Sequence, residues 1–122
     1  MRLLTVVLSV LLSSGCTYTT KQDAMQIAAE EVNRRHFTLP AGYAVDATKA
    51  TPIADSGHDI PLYVVTFNQP NRRPPNTLYE VNVNRCTGKV EAFGDFRKSR
   101  LFRVNGAVIE QKRGEKWVPV KQ

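Results

Sequence analysis

Between Lys21 and Arg35 the apolar positions recur at helical spacing. At about 100° per residue, Ala24, Met25, Ala28, Ala29 and Val32 fall on one stripe, and Gln26, Glu30 and Arg34 fall opposite. Thr20, with Asp23 three residues on, has the spacing of a capping box, Asp standing where Glu or Gln is usual. The pattern predicts a helix from about Lys21 to Arg35. The small Ala residues on its buried side would let it approach a sheet closely. His36 continues the stripe and is expected as a packing residue at the helix end, where the dipole favours it. Pro40 and Gly42 then stop the segment.

Beyond Gly42 the period changes from helix to strand. Tyr43–Thr51 reads as a weak strand ended by Pro52. Asp55-Ser56-Gly57-His58-Asp59 is a polar turn, closed by Pro61. Leu62 to Phe67 is apolar on both faces and reads as a central strand. Gln69 to Asn76 is a break with three prolines, Pro70, Pro74 and Pro75, and two arginines, Arg72 and Arg73. Leu78 to Asn84 alternates: Tyr79, Val81 and Val83 face one way, Glu80, Asn82 and Asn84 the other. Cys86-Thr87-Gly88 supplies a turn into Lys89–Phe93. Leu101–Val104 and Ala107–Gln111 flank Asn105-Gly106, the strongest short hairpin signal in the chain. Lys112–Lys116 turns again into Trp117–Val120.

One amphipathic N-terminal helix therefore precedes five to seven short strands at hairpin spacing. No strand–helix–strand alternation appears, so a doubly wound parallel sheet is not expected. The expected architecture is α+β, an antiparallel sheet with the helix packed on one face. The helix Ala stripe, Tyr63, Val65, Phe67, Tyr79, Val81 and Val83 form the expected core. A length of 122 residues fits one small domain, expected over residues 23–122.

The first sixteen residues are of another kind. Met1 and Arg2 give a basic start, and Leu3–Leu12 is apolar apart from Thr5 and Ser9. Ser13, Ser14 and Gly15 follow, then Cys16. A charged start, a short apolar stretch and a small-residue cleavage zone make the layout of a secretory signal. A helix over ten residues covers ~15 Å, about half of a hydrocarbon core of ~30 Å, too short for a lasting span.

Ser13-Ser14-Gly15-Cys16 after that run resembles the lipobox of bacterial lipoproteins, although Ser13 stands where the family usually has Leu, and Leu12 lies one position further out. The resemblance implies a signal peptide over residues 1–15 and a lipid anchor on Cys16. Residues 16–22 would be the tether. Thr17, with no Asp after the cysteine, implies the periplasmic face of the outer membrane as destination. The alternative is a plain secretory signal cleaved near Gly15. The cysteines separate the two. A lipidated Cys16 leaves Cys86 to be buried or to pair with another chain, whereas an unlipidated Cys16 makes a Cys16–Cys86 disulfide available in an oxidising compartment.

The Ala-rich helix and the hairpin Tyr79-Glu80-Val81-Asn82-Val83 with Thr87-Gly88-Lys89-Val90 resemble, over roughly Asp23–Phe93, the PepSY-type domains of bacterial secreted proteins. They are also similar to small immunity proteins of the NTF2 fold. The first resemblance implies an inhibitory or folding-accessory role outside the cytoplasm, the second the blocking of a toxin delivered into the periplasm. Neither implies catalytic residues.

Candidate chemistry is sparse. No phosphate loop, zinc-protease helix or repeated Cys pair is present. Asp55, His58 and Asp59 are what a solvated turn needs. Glu30 and Glu31 are adjacent, so their side chains diverge on a helix and do not make an acid–base pair. Neither cysteine has metal-ligand spacing with His36 or His58. No cofactor, metal, nucleic acid or small-molecule substrate is expected. The charge is more informative. The chain carries a net +6, and Arg85–Gln122 holds ten Lys and Arg against four Asp and Glu. Arg97, Lys98, Arg100 and Arg103 crowd into seven residues. Such cations protect sheet edges, attract anionic surfaces or steer an acidic partner. The expectation is a non-enzymatic lipoprotein that binds a protein partner of the cell envelope through Arg72 and Arg73 of the proline-stiffened loop and through Arg97, Lys98, Arg100 and Arg103. A structural part in an envelope or secretion assembly is the remaining alternative.

Overall fold

A computed structural model describes residues 19–54, 56–103 and 107–121. Helix α1 (Lys21–Arg34) is followed by seven strands: β1 (Ala44–Ala50), β2 (Leu62–Asn68), β3 (Thr77–Asn84), β4 (Val90–Asp95), β5 (Arg100–Arg103), β6 (Val108–Arg113) and β7 (Lys116–Pro119). They form one sheet in the order β1-β2-β3-β4-β5-β6-β7, every neighbouring pair antiparallel. The strand order equals the chain order because each strand is joined to the next by a connection too short for anything but a hairpin-like return.

The helix begins where the capping pattern places it. The Asp23 amide donates to Thr20 Oγ1 at 3.1 Å, and the Thr20 amide donates to Asp23 Oδ2 at 3.3 Å. Thr19 is already buried, and its Oγ1 lies 3.8 Å from where a Cβ on Gly88 would stand. The packed unit thus includes Thr19 and the first helical turn, ahead of Asp23. At the other end His36 departs from expectation. It leaves the helical stripe, adopts φ 60° and is exposed. The His36 amide donates to Asn33 O at 2.9 Å and the Phe37 amide to Val32 O at 3.2 Å. That pair of bonds is a Schellman ending, with His in the left-handed position usually given to Gly. The reversal turns Phe37 inward in place of His36, stacked on Tyr79 at 5.1 Å and Phe93 at 5.5 Å between centroids.

Cross-strand partners share a face, so the register lays out the core as rows. Ala47, Val65, Val81, Phe93 and Phe102 are successive partners across β1–β5, and Val45, Phe67, Tyr79, Asp95 and Arg100 form the next row. The helix lies over β1–β4 and buries Ala24, Ala28 and Val32 against them. Tyr63, Val65, Phe67, Tyr79, Val81 and Val83 are all buried, as their alternation predicts. Phe93 joins them, and each buried aromatic is worth on the order of 3–5 kcal/mol against truncation to Ala. The opposite face of the sheet is polar over β1–β3, with Asp46, Thr48, Thr66, Glu80 and Asn82. Burial alone pushes the Glu80 carboxyl above its ordinary value.

Arg35 closes the helix over the aromatic row. Its guanidinium carbon stands 4.6 Å from the Phe93 ring centroid and 5.4 Å from that of Phe102. Its side chain is 11% exposed, and Nε donates to Glu31 Oε2 at 2.6 Å. Arg34 makes a forked pair with the same carboxylate. Burial pushes the Glu31 carboxyl up, but the hydrogen bonds and charges of Arg34 and Arg35 outweigh it and hold the group below its usual value.

The turn from β3 to β4 is organised by Asn84, whose Oδ1 accepts from the amides of Cys86 at 2.8 Å and Thr87 at 3.2 Å. Gly88 supplies φ 74°, which a side chain would resist. Cys86 is disulfide-bonded. The chain's one other cysteine, Cys16, lies outside the described residues, as do Asp55 and Asn105-Gly106. The Asn-Gly hairpin is flanked as expected by paired strands, with the Arg103 amide donating to Ala107 O at 3.0 Å.

Glu31→Gln is expected to lower stability at neutral pH by on the order of 1–3 kcal/mol, since the buried Arg35 loses its charged partner. A depressed carboxylate stabilises above its unfolded-state pKa and loses that contribution as pH falls through its folded-state pKa. The gap in Tm between wild type and variant should therefore be full at neutral pH and close on acidification below the ordinary carboxylate range. Melts followed by circular dichroism across pH check this.

Candidate functional site

At the end of the sheet that carries the β2–β3 and β4–β5 connections, three segments surround a cleft of ≈ 690 Å³. Thr38, Leu39 and Pro40 come from the helix-to-β1 connection. Gln69, Arg72, Pro75 and Asn76 come from the β2–β3 loop, and Thr77 and Leu78 from the start of β3. Phe96 and Arg97 come from the β4–β5 turn. Among the described residues no Asp or Glu lines it.

Each wall is fixed from within. The β2–β3 loop is clipped by amides: the Gln69 amide donates to Asn76 O at 2.9 Å, and Asn76 Nδ2 donates to Gln69 O at 3.0 Å and Arg72 O at 3.3 Å. Asn71 takes φ 60°, and the Pro74–Pro75 bond is cis. Arg72 Nη1 rests on Gln69 Oε1 at 3.4 Å. The helix-to-β1 connection is held by the buried Tyr79, whose hydroxyl donates to Thr38 O at 3.3 Å. Gly42, at φ 78°, brings that connection against Pro70, whose Cβ would lie 3.9 Å from a Cβ on the glycine.

The third wall is electrostatic. Asp95, on the helix-side face and only 1% exposed, accepts from the Arg97 amide at 3.1 Å and lies 3.6 Å from Arg97 Nε. The Arg97 guanidinium is thereby laid over the Tyr79 ring at 4.8 Å and the Phe37 ring at 5.6 Å. Tyr79 is held above its ordinary pKa by burial, with Arg97 opposing. Among the described residues, three non-glycine residues adopt left-handed backbone, His36, Asn71 and Ser99. Each flanks one of the three cleft segments. Left-handed residues of this kind concentrate at functional sites.

The sequence-expected cations separate into groups. Arg72 and Arg97, 25 positions apart in the chain, meet at the cleft. Arg73 is exposed beside Arg72 and does not line it. Lys98 is exposed on the β4–β5 turn. Arg100 and Arg103 lie on opposite faces of β5, since Arg100 pairs with Asp95 and Arg103 with Ala92. The crowding of Arg97–Arg103 in sequence is thus not one patch in space. A period-two strand and a turn split it. Gln69, Asn76 and Phe96 belong to the cleft without having been singled out in the sequence; their only signal was proximity to the Pro/Arg break and to a turn. His58 and Asp59 sit in the β1–β2 extension, where the Ala54 amide donates to His58 O at 2.8 Å. Among the described residues no group of three or more His, Cys, Asp or Glu is placed to hold a metal ion, and no helix is long and apolar enough to cross a membrane.

Compared with known protein families, curated protein sequences and solved structures, the chain shows no significant match.

Asn76→Ala is expected to loosen the β2–β3 loop while leaving the sheet intact. Trypsin should then cut after Arg72 several-fold faster than in wild type under native conditions. A cleavage time course read by mass spectrometry checks it.

Proposed function

We propose that this chain is an exported, non-enzymatic domain at the periplasmic face of the outer membrane. It binds a protein partner of the cell envelope in an inhibitory or accessory role, and the Arg72–Arg97 cleft is the binding surface. The observation that carries the reading is that two arginines, from separate connections, line one cleft with hydrogen-bonded walls and, among the described residues, no lining carboxylate. Arginine is favoured at the energetic centres of protein interfaces, and preset walls lower the entropy lost on docking. Among the described residues that line the cleft no nucleophile–base pair is present, which supports binding over turnover. The Ala-faced helix and the Thr87-Gly88 hairpin are the features shared with the secreted PepSY-type domains, and that kinship is part of the proposal.

Export is supported twice, by the signal-like residues 1–16 and by the disulfide at Cys86, a bond that persists in oxidising compartments. The two observations bear differently on the anchor. One sulfur carries either a thioether or a disulfide. With the lipid on Cys16, the Cys86 bridge runs to a second chain. In a second reading, favoured by the disulfide, the signal is cleaved ahead of Cys16 without lipidation. The thiol is then kept for Cys86, and the domain is released into the periplasm.

Arg72→Ala combined with Arg73→Ala is expected to weaken capture of the envelope partner about tenfold without lowering Tm. Unchanged capture by the mature protein would remove the loop from the interface. Intact mass of the mature protein separates the two anchors. A diacylglyceryl and acyl addition at Cys16 is expected for the lipoprotein. An unmodified N-terminus whose mass rises by two hydrogens on reduction is expected for the intrachain bridge.

A further inference from the structure

The cleft does not end at Phe96. On the far side of that ring lies a second depression of ≈ 280 Å³, with Pro75, Thr77 and Phe96 as shared walls and Ser99 and Lys112 added. Phe96 is held in place by Trp117, 5.7 Å away between centroids, and lies over Gly94, where a Cβ would approach it to 3.3 Å. The Lys112 amide donates to Ser99 O at 3.0 Å, which ties β6 to the β4–β5 turn and brings Lys112 to this rim. The two depressions therefore adjoin at Pro75, Thr77 and Phe96, and side by side they outline a trough. Its cations are Arg72, Arg97 and Lys112, its apolar lining residues include Leu39, Leu78, Pro75 and Phe96, and among the described residues no Asp or Glu lines either part.

We propose that the partner's docking element is an extended acidic segment in which carboxylates alternate with apolar side chains, lying along this trough from Arg72 across Phe96 to Lys112. This rests on the binding role proposed above and names the class of its partner. The chemistry is complementary in three respects. Guanidinium groups donate to carboxylates in forked geometry, and Arg97 is already oriented by Asp95 and two aromatic rings. An extended chain presents alternate residues to opposite sides, so its apolar side chains meet Phe96 and Leu78 while its carboxylates reach the rim. The net charge of +6 steers an acidic segment inward.

A fluorescent peptide of alternating glutamate and leucine, added to the mature protein and followed by anisotropy, tests it. The peptide should bind saturably, and a lysine–leucine counterpart should not. Arg72→Glu with Lys112→Glu, both exposed positions, should weaken binding about tenfold or more at unchanged Tm. Lys89→Glu, at the opposite end of the strands, should change it less than about twofold. No binding of the acidic peptide, or equal weakening by Lys89→Glu, overturns the proposal. So does binding to phosphatidylglycerol vesicles that the double variant abolishes and the peptide does not compete, which would assign the trough to a lipid surface. If the Arg72→Ala, Arg73→Ala variant loses an envelope partner that the peptide fails to displace, this inference falls and the binding role stands. If capture is unaffected by any of these changes, both fall.

Discussion

The close seating of one alanine-faced helix on one aromatic row is the constraint from which the rest follows. Ala24 and Ala28 are fully buried, so no side chain beyond a methyl separates the helix from the sheet there. At such an approach the facing row must be filled by the sheet itself. Val65, Val81 and Phe93 do so from successive strands. A larger residue on the helix would lift it off the sheet, and a smaller one in the row would leave a void. Both are costly in a close-packed interior. The helix end is fixed by the same contact. Once Val32 is buried, the chain must reverse at His36, and Phe37 falls onto Tyr79 and Phe93.

That reversal is what builds the cleft. It carries Thr38–Pro40 across the end of the sheet, where the Tyr79 hydroxyl holds the backbone. Tyr79 thus serves twice, as a core residue on its helix-side face and as the support beneath Arg97. Asp95 is the hinge between structure and charge. It is a buried carboxylate beside the Tyr79 ring, and the Arg97 amide and guanidinium answer it. The outcome is an arginine held over two aromatic rings in the lining of a cleft, with a second arginine in the same lining on a loop clipped by Asn76. Hydrogen bonds and ring contacts within the chain thus set the positions of these walls.

Much of the fold was legible from period alone. The stripe of Ala24, Ala28 and Val32, the alternation of Tyr79, Val81 and Val83, and the hairpin signals pointed to five to seven strands, and the seven observed begin and end within a residue or two of the segments so marked. His36 was misassigned because helical periodicity says nothing about where a helix stops. The Schellman reversal depends on the burial of Phe37, which lies outside the period. Phe93 was read as a strand residue but not as the centre of the aromatic row, since its partners Val81 and Phe102 are assigned only by register. The basic run Arg97–Arg103 looked like one surface because sequence counts charges and does not say which face of a strand each one takes.

The sequence by itself determined the helix with its capping box, the strand segments and the basic character of the chain. These are local matters, set by side-chain spacing, turn chemistry and composition within a few residues of one another. Only the tertiary structure decided that Arg72 and Arg97 share a cleft, that Lys112 extends it past Phe96, and that Arg100 and Arg103 part company. Such facts depend on register and on how three connections meet at one end of a sheet. Contacts between residues far apart in the chain are bought by the packing of everything between them, and no local pattern encodes that sum.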